Sequence, residues 1–428
     1  MPQSNSYDCV VLGGGPAGST VAALTAEAGI PTLLVEREKV PRFHVGESLM
    51  PEAYWTLQRL GVLDQLKKSA YPKKYSVQFV NHRGKASQPF YFHEHDDREC
   101  SQTWQVWRSE FDQILFKNAA AKGAHCMDQT RVTEVLFDDP NQPADQPAAR
   151  RARGVRLQHS DGQTTEVASR VVIDATGQQS VIATRLGIRR ENSKLRKASV
   201  WTYYRNAWRD PGIDEGATII YQTNQKDSWF WFIPLPDHIT SIGVVGDVDY
   251  LLKSRGKSKS GRGGPDVVFA EELANCPALS QRLEDAERID DFRAAREFSY
   301  KSDVPAGDGW VLVGDAYGFI DPIYSSGVYF ALKSGELAAD CIVAALADND
   351  TSAQRLSAWV PEFEAGVNRI RKLVDAYYTP TFSFGHFVKQ HPEHTAGLTD
   401  LLIGRIFHDS AGDIFKDMDP MLAESRGE

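Results

Sequence analysis

The chain has 428 residues, 42% hydrophobic and 25% charged, the composition of a folded protein with a sizeable core and not of a disordered or collagen-like one. Lys and Arg total 48 against 57 Asp and Glu, a net charge of −9, which argues against a broad nucleic-acid surface because that needs excess positive charge to release counterions. The five cysteines, Cys9, Cys100, Cys126, Cys276 and Cys341, are scattered and never spaced as CxxC, against both a disulfide framework and a thiolate zinc site. Residues 1–8 are polar, with no apolar signal region, and no uncharged apolar run approaches the roughly 18 residues of a membrane span. These features predict a soluble protein of the reducing cytoplasm whose partners are small molecules or proteins, with no nucleic acid and no membrane span.

In chain order, Tyr7-Asp-Cys-Val-Val-Leu12 is a short apolar run that predicts a strand. Gly13-Gly-Gly-Pro-Ala-Gly18 follows, and then a stretch with Val21, Leu24 and Ala28 at helical spacing. A second apolar run, Thr32-Leu-Leu-Val35, ends on Glu36. The three form a right-handed βαβ unit. Its turn, Gly13-x-Gly15-x-x-Gly18, lets backbone approach a pyrophosphate at a helix N-terminus, where free N–H groups and the helix dipole favour an anion. Glu36, roughly 20 residues past the turn, is placed to accept ribose hydroxyls. The pattern predicts a bound dinucleotide, held in part by Gly13, Gly15, Ala17, Gly18 and Glu36.

Further along, residues 76–81, 218–221, 229–233 and 241–245 read as strands of one antiparallel sheet. Arg170-Val-Val-Ile-Asp174, running into Ala175-Thr-Gly177, and Trp310-Val-Leu-Val313, running into Gly314-Asp315, read as two more strands of the nucleotide fold, which is therefore split along the sequence. Residues 138–149 carry turn formers without apolar periodicity and predict an exposed hairpin loop. Residues 253–264, rich in Gly, Ser, Lys and Arg, predict a solvated loop or a docking segment for an acidic carrier protein. His93-Glu-His-Asp-Asp97 reads as an acidic solvated loop, with no metal site expected. From 351 onward the pattern is helical. The expected fold class is α/β: a split Rossmann-like dinucleotide-binding domain (1–74, 105–190 and 300–350), an antiparallel β-sheet substrate domain (75–104 and 191–299) and a helical C-terminal cap (351–428).

The N-terminal unit combined with Asp174-Ala-Thr-Gly177 and Gly314-Asp315-Ala316 resembles the hydroxylase-type branch of the glutathione-reductase-like FAD fold. That resemblance implies FAD as the cofactor and Asp315 on its ribityl chain. It also implies a helix starting near Gly327 and Val328 whose N-terminal dipole would stabilise anionic reduced flavin. Arg42, near Glu47-Ser48, and Arg108 are candidates for the cofactor's phosphates and adenine side, with surface salt bridges as the competing reading.

Two further motifs narrow the class. Trp229-Phe-Trp231-Phe-Ile-Pro234 matches the WxWxIP signature, and Phe319-Ile-Asp-Pro-Ile-Tyr-Ser325-Ser326-Gly327 the FxxPxxSxG signature, of the flavin-dependent halogenases. The segment 41–51, PRFHVGESLMP, resembles the phenol- and pyrrole-halogenating members. The resemblance covers essentially the whole chain. It implies halogenation of an electron-rich phenol or pyrrole, free or carrier-tethered, by reduced FAD, dioxygen and chloride or bromide, through a flavin hydroperoxide and hypohalous acid. Trp229 and Trp231 would wall the substrate from the flavin, unless they are ordinary core. Ser326 and Gly327 would bind the halide, unless Ser326 only caps its own helix. Aligned on Phe79, the family's catalytic lysine falls on Lys74; Lys73 beside it would face the other way in an extended segment. Where tryptophan-halogenating members carry a carboxylate before the serine pair, this chain has Tyr324, which makes free tryptophan improbable and leaves the substrate's base unassigned. A separate flavin reductase is implied as partner, with an acyl or peptidyl carrier protein as a further candidate. An aromatic hydroxylase, a reductase of polyprenyl or lipid double bonds and a non-enzymatic flavoprotein stay open as alternatives.

Overall fold

The computed structural model describes residues 6–138, 146–254 and 264–426. The loop expected at 138–149 and the basic stretch at 253–264 lie for the most part outside them. Strand Ser6–Leu12 pairs in parallel with Thr32–Val35 on one side and with Thr164–Asp174 on the other. Trp310–Leu312 extends the sheet beyond Thr164–Asp174, and His125–Met127 beyond Thr32–Val35. Val10, Val11, Leu12 and Leu34 are fully buried; strands covered on both faces are apolar without alternation, as parallel sheets require. Helices Pro16–Glu27 and Gly327–Ala347 pack against each other, so the two helix N-termini expected to serve the cofactor belong to one packed unit.

The second sheet runs in the order 318–319, 293–302, 189–205, 239–247, 228–234, 218–222, 76–80, 90–91. The expected strands are all in it, but 218–222 pairs with 76–80 in parallel, not antiparallel. Ser228–Pro234 and Ile239–Asp247 are joined by a short turn and must run antiparallel. Ser76–Val80 reaches its partner only after the chain has crossed the parallel sheet, so no hairpin dictates its direction.

The two-residue period of strand Ser228–Pro234 separates two interiors. Trp229, Trp231 and Ile233 face the main core, while Phe230 and Phe232 enter a second cluster with Phe269 and Val244. Gly243 lies opposite Trp231 on the neighbouring strand, and a Cβ there would stand 2.2 Å from the Trp231 ring and 2.5 Å from Trp201 Cβ. Gly243→Ala is therefore expected to displace the Trp231 indole and to cost about 1–3 kcal/mol of stability, read as a lowered melting temperature with altered tryptophan fluorescence.

Beyond residue 351 the chain is helical as expected. Val360–Tyr377 buries Phe363, Val367, Ile370 and Val374 at helical spacing, and its C-terminal Tyr377 meets Trp229 edge-on. The residues read as an acidic loop at 93–97 instead begin as a short helix, Phe92–His95, and Asp96 pairs with Arg98 and Arg405. The Arg405 partner comes from the C-terminal region, beyond the reach of local pattern. All five cysteines are unpaired. No helix among the described residues is long and apolar enough to cross a membrane.

Candidate active site

A cavity of about 680 Å³ runs without interruption from the glycine turn to the tryptophan pair, touching Gly15, Glu36, Glu47, Asp315, Trp229 and Gly327 among its walls. At its first end, Gly15 precedes helix Pro16–Glu27 without any side-chain cap, which leaves first-turn N–H groups for an anion. A Cβ on Gly15 would meet only the Arg42 guanidinium, at 3.5 Å. Glu36 Oε2 accepts the Gly14 N–H at 3.0 Å and Oε1 that of Glu38 at 3.0 Å; a carboxylate has lone pairs beyond these two for ribose hydroxyls.

Arg42 and Arg108 both reach the cavity and both bind buried Asp112. Arg42 Nη1 lies 2.9 Å from Asp112 Oδ2 and Arg108 Nε 2.9 Å from Oδ1. Arg42 also pairs with Glu36 at 3.2 Å, and Arg108 donates to the Val45 carbonyl at 2.8 Å. The two arginines thus pin segment 42–47 over the cavity, around a carboxylate that the guanidiniums hold below its usual range against the opposing effect of burial. Asp112 stands at i,i+4 from Arg108, a spacing the sequence shows, but its pairing with Arg42, 70 residues away, leaves no mark there.

Asp315 lines the cavity in the turn after the last parallel strand, its carboxyl pushed up to about 6 by burial and eased down by Arg108. Buried Glu47 accepts the Tyr203 hydroxyl at 2.7 Å and leaves Oε2 without a partner, its pKa raised by burial. Asp174 is fully buried and serves its own turn, accepting Thr176 N–H and O–H and, at 2.7 Å, the Ile182 N–H. The open glycine cradle, the uncapped helix, the ribose-side carboxylate and the orphaned Glu47 oxygen fit an FAD molecule laid along the cavity.

At the other end, Trp229 Nε1 donates to Tyr378 Oη at 2.9 Å and Trp231 Nε1 to Ser241 Oγ at 3.1 Å, so both indoles are fixed as wall residues. Helix Gly327–Ala347 starts without a side-chain cap. Gly327, Val328 and Ser325 line the cavity, whereas Ser326 is 2% exposed and does not. Ser325 is the residue in left-handed conformation, φ +55. Tyr324 is buried, its hydroxyl donating to the Leu373 carbonyl at 3.2 Å. It ties the turn to the C-terminal helix and supplies no base.

Strand Lys73–Lys74 pairs with Thr103–Trp104, exposing Lys73 and burying Lys74. Lys74 Nζ donates to Ser48 Oγ at 2.9 Å and to the Leu49 carbonyl at 3.1 Å, and forms no ion pair among the described residues. Ser48 and Thr218, whose hydroxyls are 2.9 Å apart, line the cavity; Lys74 stands one hydrogen bond behind them. Burial lowers its pKa to about 7. Two donated bonds suit a neutral amine, which has two N–H groups and a lone pair to spare.

An FAD-binding-domain family model matches residues 6–335. Over 98% of its length the chain is 27% identical to a chlorinase of 1H-pyrrole-2-carbonyl-peptidyl-carrier protein from Pseudomonas fluorescens, covering 94% of that protein. With the corresponding brominase of Pseudoalteromonas luteoviolacea it shares 31% identity, over 82% of this chain and 80% of the relative. This chain belongs to the flavin-dependent halogenases. The halogenase superposes on the flavin-dependent brominase Bmp2 with a TM-score of 0.84 at 28% identity, covering 99% of this chain and 100% of that one. As a member of this family it is an FAD-dependent enzyme with halide as co-substrate, and the hydroxylase, double-bond reductase and non-enzymatic readings give way.

Proposed function

We infer that this halogenase transfers chloride or bromide to an electron-rich aromatic ring, a pyrrole or a phenol, and that Lys74 directs the transfer. The observation that carries the reading is the single cavity joining the FAD cradle to the tryptophan wall, with a buried amine of lowered pKa one hydrogen bond behind it. Reduced FAD with dioxygen supplies the oxidising equivalents that convert halide to hypohalous acid. The chain's own residues do the rest. The uncapped N-terminus at Gly327, beside Ser325 and Ser326, holds the halide through N–H groups. Trp229 and Trp231 keep the ring away from the flavin side. Neutral Lys74, turning from Ser48 toward the cavity, takes the halogen from hypohalous acid as water leaves, then yields it to a ring carbon and takes back on its nitrogen the proton that carbon loses. Positioning dominates, because hypohalous acid is reactive without further activation.

The names of the two carrier-protein relatives support a pyrrole-2-carbonyl group borne on a peptidyl carrier protein, with that carrier as partner. A separate reductase is the proposed source of reduced FAD, since the one glycine-rich βαβ unit is assigned to FAD itself. In this reading residues 1–74, 105–190 and 300–350 hold FAD and 75–104 with 191–299 the substrate. The test is incubation with reduced FAD, oxygen, bromide and a panel of pyrroles, pyrrole thioesters and phenols, read by mass spectrometry. A monobrominated or polybrominated ring is expected. Hydroxylated product without bromine across the panel overturns the reading.

A further inference from the structure

Tyr324 leaves the substrate without the carboxylate that would have stood before the serine pair, but another carboxylate opens into the same cavity three residues earlier. Asp321 is 4% exposed and lines the cavity. Its Oδ1 accepts the Ile323 N–H at 3.0 Å and the Tyr378 hydroxyl at 3.3 Å. Among the described residues its Oδ2 has neither hydrogen bond nor ion pair. The Tyr378 hydroxyl accepts from Trp229 Nε1 and so has one proton left, which it gives to Asp321. The turn's own Ile323 N–H and the distant pair Trp229 and Tyr378 therefore fix one carboxylate oxygen, and the other stays unengaged on a residue that lines the cavity.

We propose that Asp321 Oδ2 accepts the hydrogen bond of the substrate's ring O–H or N–H, which orients the ring and enriches it in electrons for attack on the halogen. The inference rests on the reading of the site as an aromatic halogenase and adds the chemical demand that the ring carry a donor. Tyr378 is a positioning residue, holding the carboxylate through Oδ1. The groups that bear on Asp321 are Lys197, whose ammonium lies 3.9 Å from the Tyr378 ring, and the hydroxyls of Tyr324, Tyr377 and Tyr378. Burial pushes the Asp321 carboxyl up to about 6, while the Ile323 N–H, Lys197 and the Tyr378 hydroxyl draw it down. The acceptor is the ionised form, so binding of a ring donor weakens as pH falls through about 6.

The test is equilibrium binding to the oxidised, FAD-loaded enzyme, followed by tryptophan fluorescence. Phloroglucinol is compared with its trimethyl ether in one arm, and pyrrole-2-carbonyl-pantetheine with its N-methyl counterpart in the other. The arm that binds tells whether the donor is a phenol or a pyrrole. Wild type is expected to prefer the unmethylated probe by about 10- to 100-fold, the range of one hydrogen bond to a charged group. Asp321→Asn, which places an amide donor against the substrate's donor, is expected to erase that preference and the acid limb while retaining FAD. Tyr378→Phe, a second variant, is expected to move the acid limb to higher pH, because Oδ1 loses a bond that favours the charged form. Unchanged preference in Asp321→Asn, an unmoved limb in Tyr378→Phe, or no discrimination by wild type in either arm overturns the assignment. Asp321-dependent discrimination without any bromination would overturn the halogenase chemistry and leave the assignment standing, so the two failures are distinguishable.

Discussion

Lys74→Ala is expected to leave reduced-flavin oxidation intact and to bring halogenated product close to background, a loss of roughly 100-fold or more. The two half-reactions use different parts of the molecule. Oxygen chemistry needs the cofactor cradle around Gly15 and Asp315, which Lys74 does not touch. Transfer to the ring needs a group that can take and release halogen, and Lys74 is a buried amine whose bonds to Ser48 and Leu49 leave a lone pair free. Truncation also leaves the Ser48–Thr218 pair in place, so the fold should persist. The amine is the active form and its pKa is lowered to about 7 by burial. Product formation should therefore rise with pH through about 7 and fall below it. Lys74→Arg should not rescue transfer, because a guanidinium stays protonated across that range. Exposed Lys73 should be replaceable by alanine with most activity retained. Measuring product by mass spectrometry beside flavin oxidation by absorbance separates the half-reactions; full product yield from Lys74→Ala would refute the role.

The features legible in the sequence were those set by short-range pattern. The strand, glycine turn and helix follow from local spacing, and so does Glu36. The two-residue period of strand Ser228–Pro234 puts Trp229 and Trp231 on one face. The same period separates Lys74 from Lys73. What stayed hidden depends on contacts between distant segments. Tyr378 binds Trp229 across 149 residues, and Asp112 gains its importance from Arg42. Gly243 matters because Trp231 and Trp201 crowd it from the two neighbouring strands. The parallel pairing of Ser76–Val80 is hidden for the same reason. The serine pair shows a subtler limit. Which of Ser325 and Ser326 lines the cavity is decided by the left-handed turn at Ser325, and a serine there bears no mark of that conformation in the sequence.

Gly15→Val is expected to give a folded protein that has lost FAD, with affinity reduced about 100-fold or more. Gly15 already has ordinary extended backbone, φ −77 and ψ −173, which valine adopts without strain. Its Cβ would encounter only the Arg42 guanidinium, at an ordinary contact distance of 3.5 Å. The added methyl groups would instead occupy the space through which the pyrophosphate must reach the uncapped N–H groups of helix Pro16–Glu27. Losing two such charge-assisted bonds accounts for the size of the effect. Gly18→Val makes the necessary contrast, because its Cβ would lie 2.0 Å from the Gly13 carbonyl oxygen and 3.1 Å from Ala175 Cβ. Backbone cannot yield there without opening the strand–helix junction, so that variant should fail to fold. Flavin absorbance after purification, an FAD titration and a thermal melt together distinguish the two. A Gly15→Val protein that melts like wild type and retains bound flavin would show that the pyrophosphate does not pass this turn.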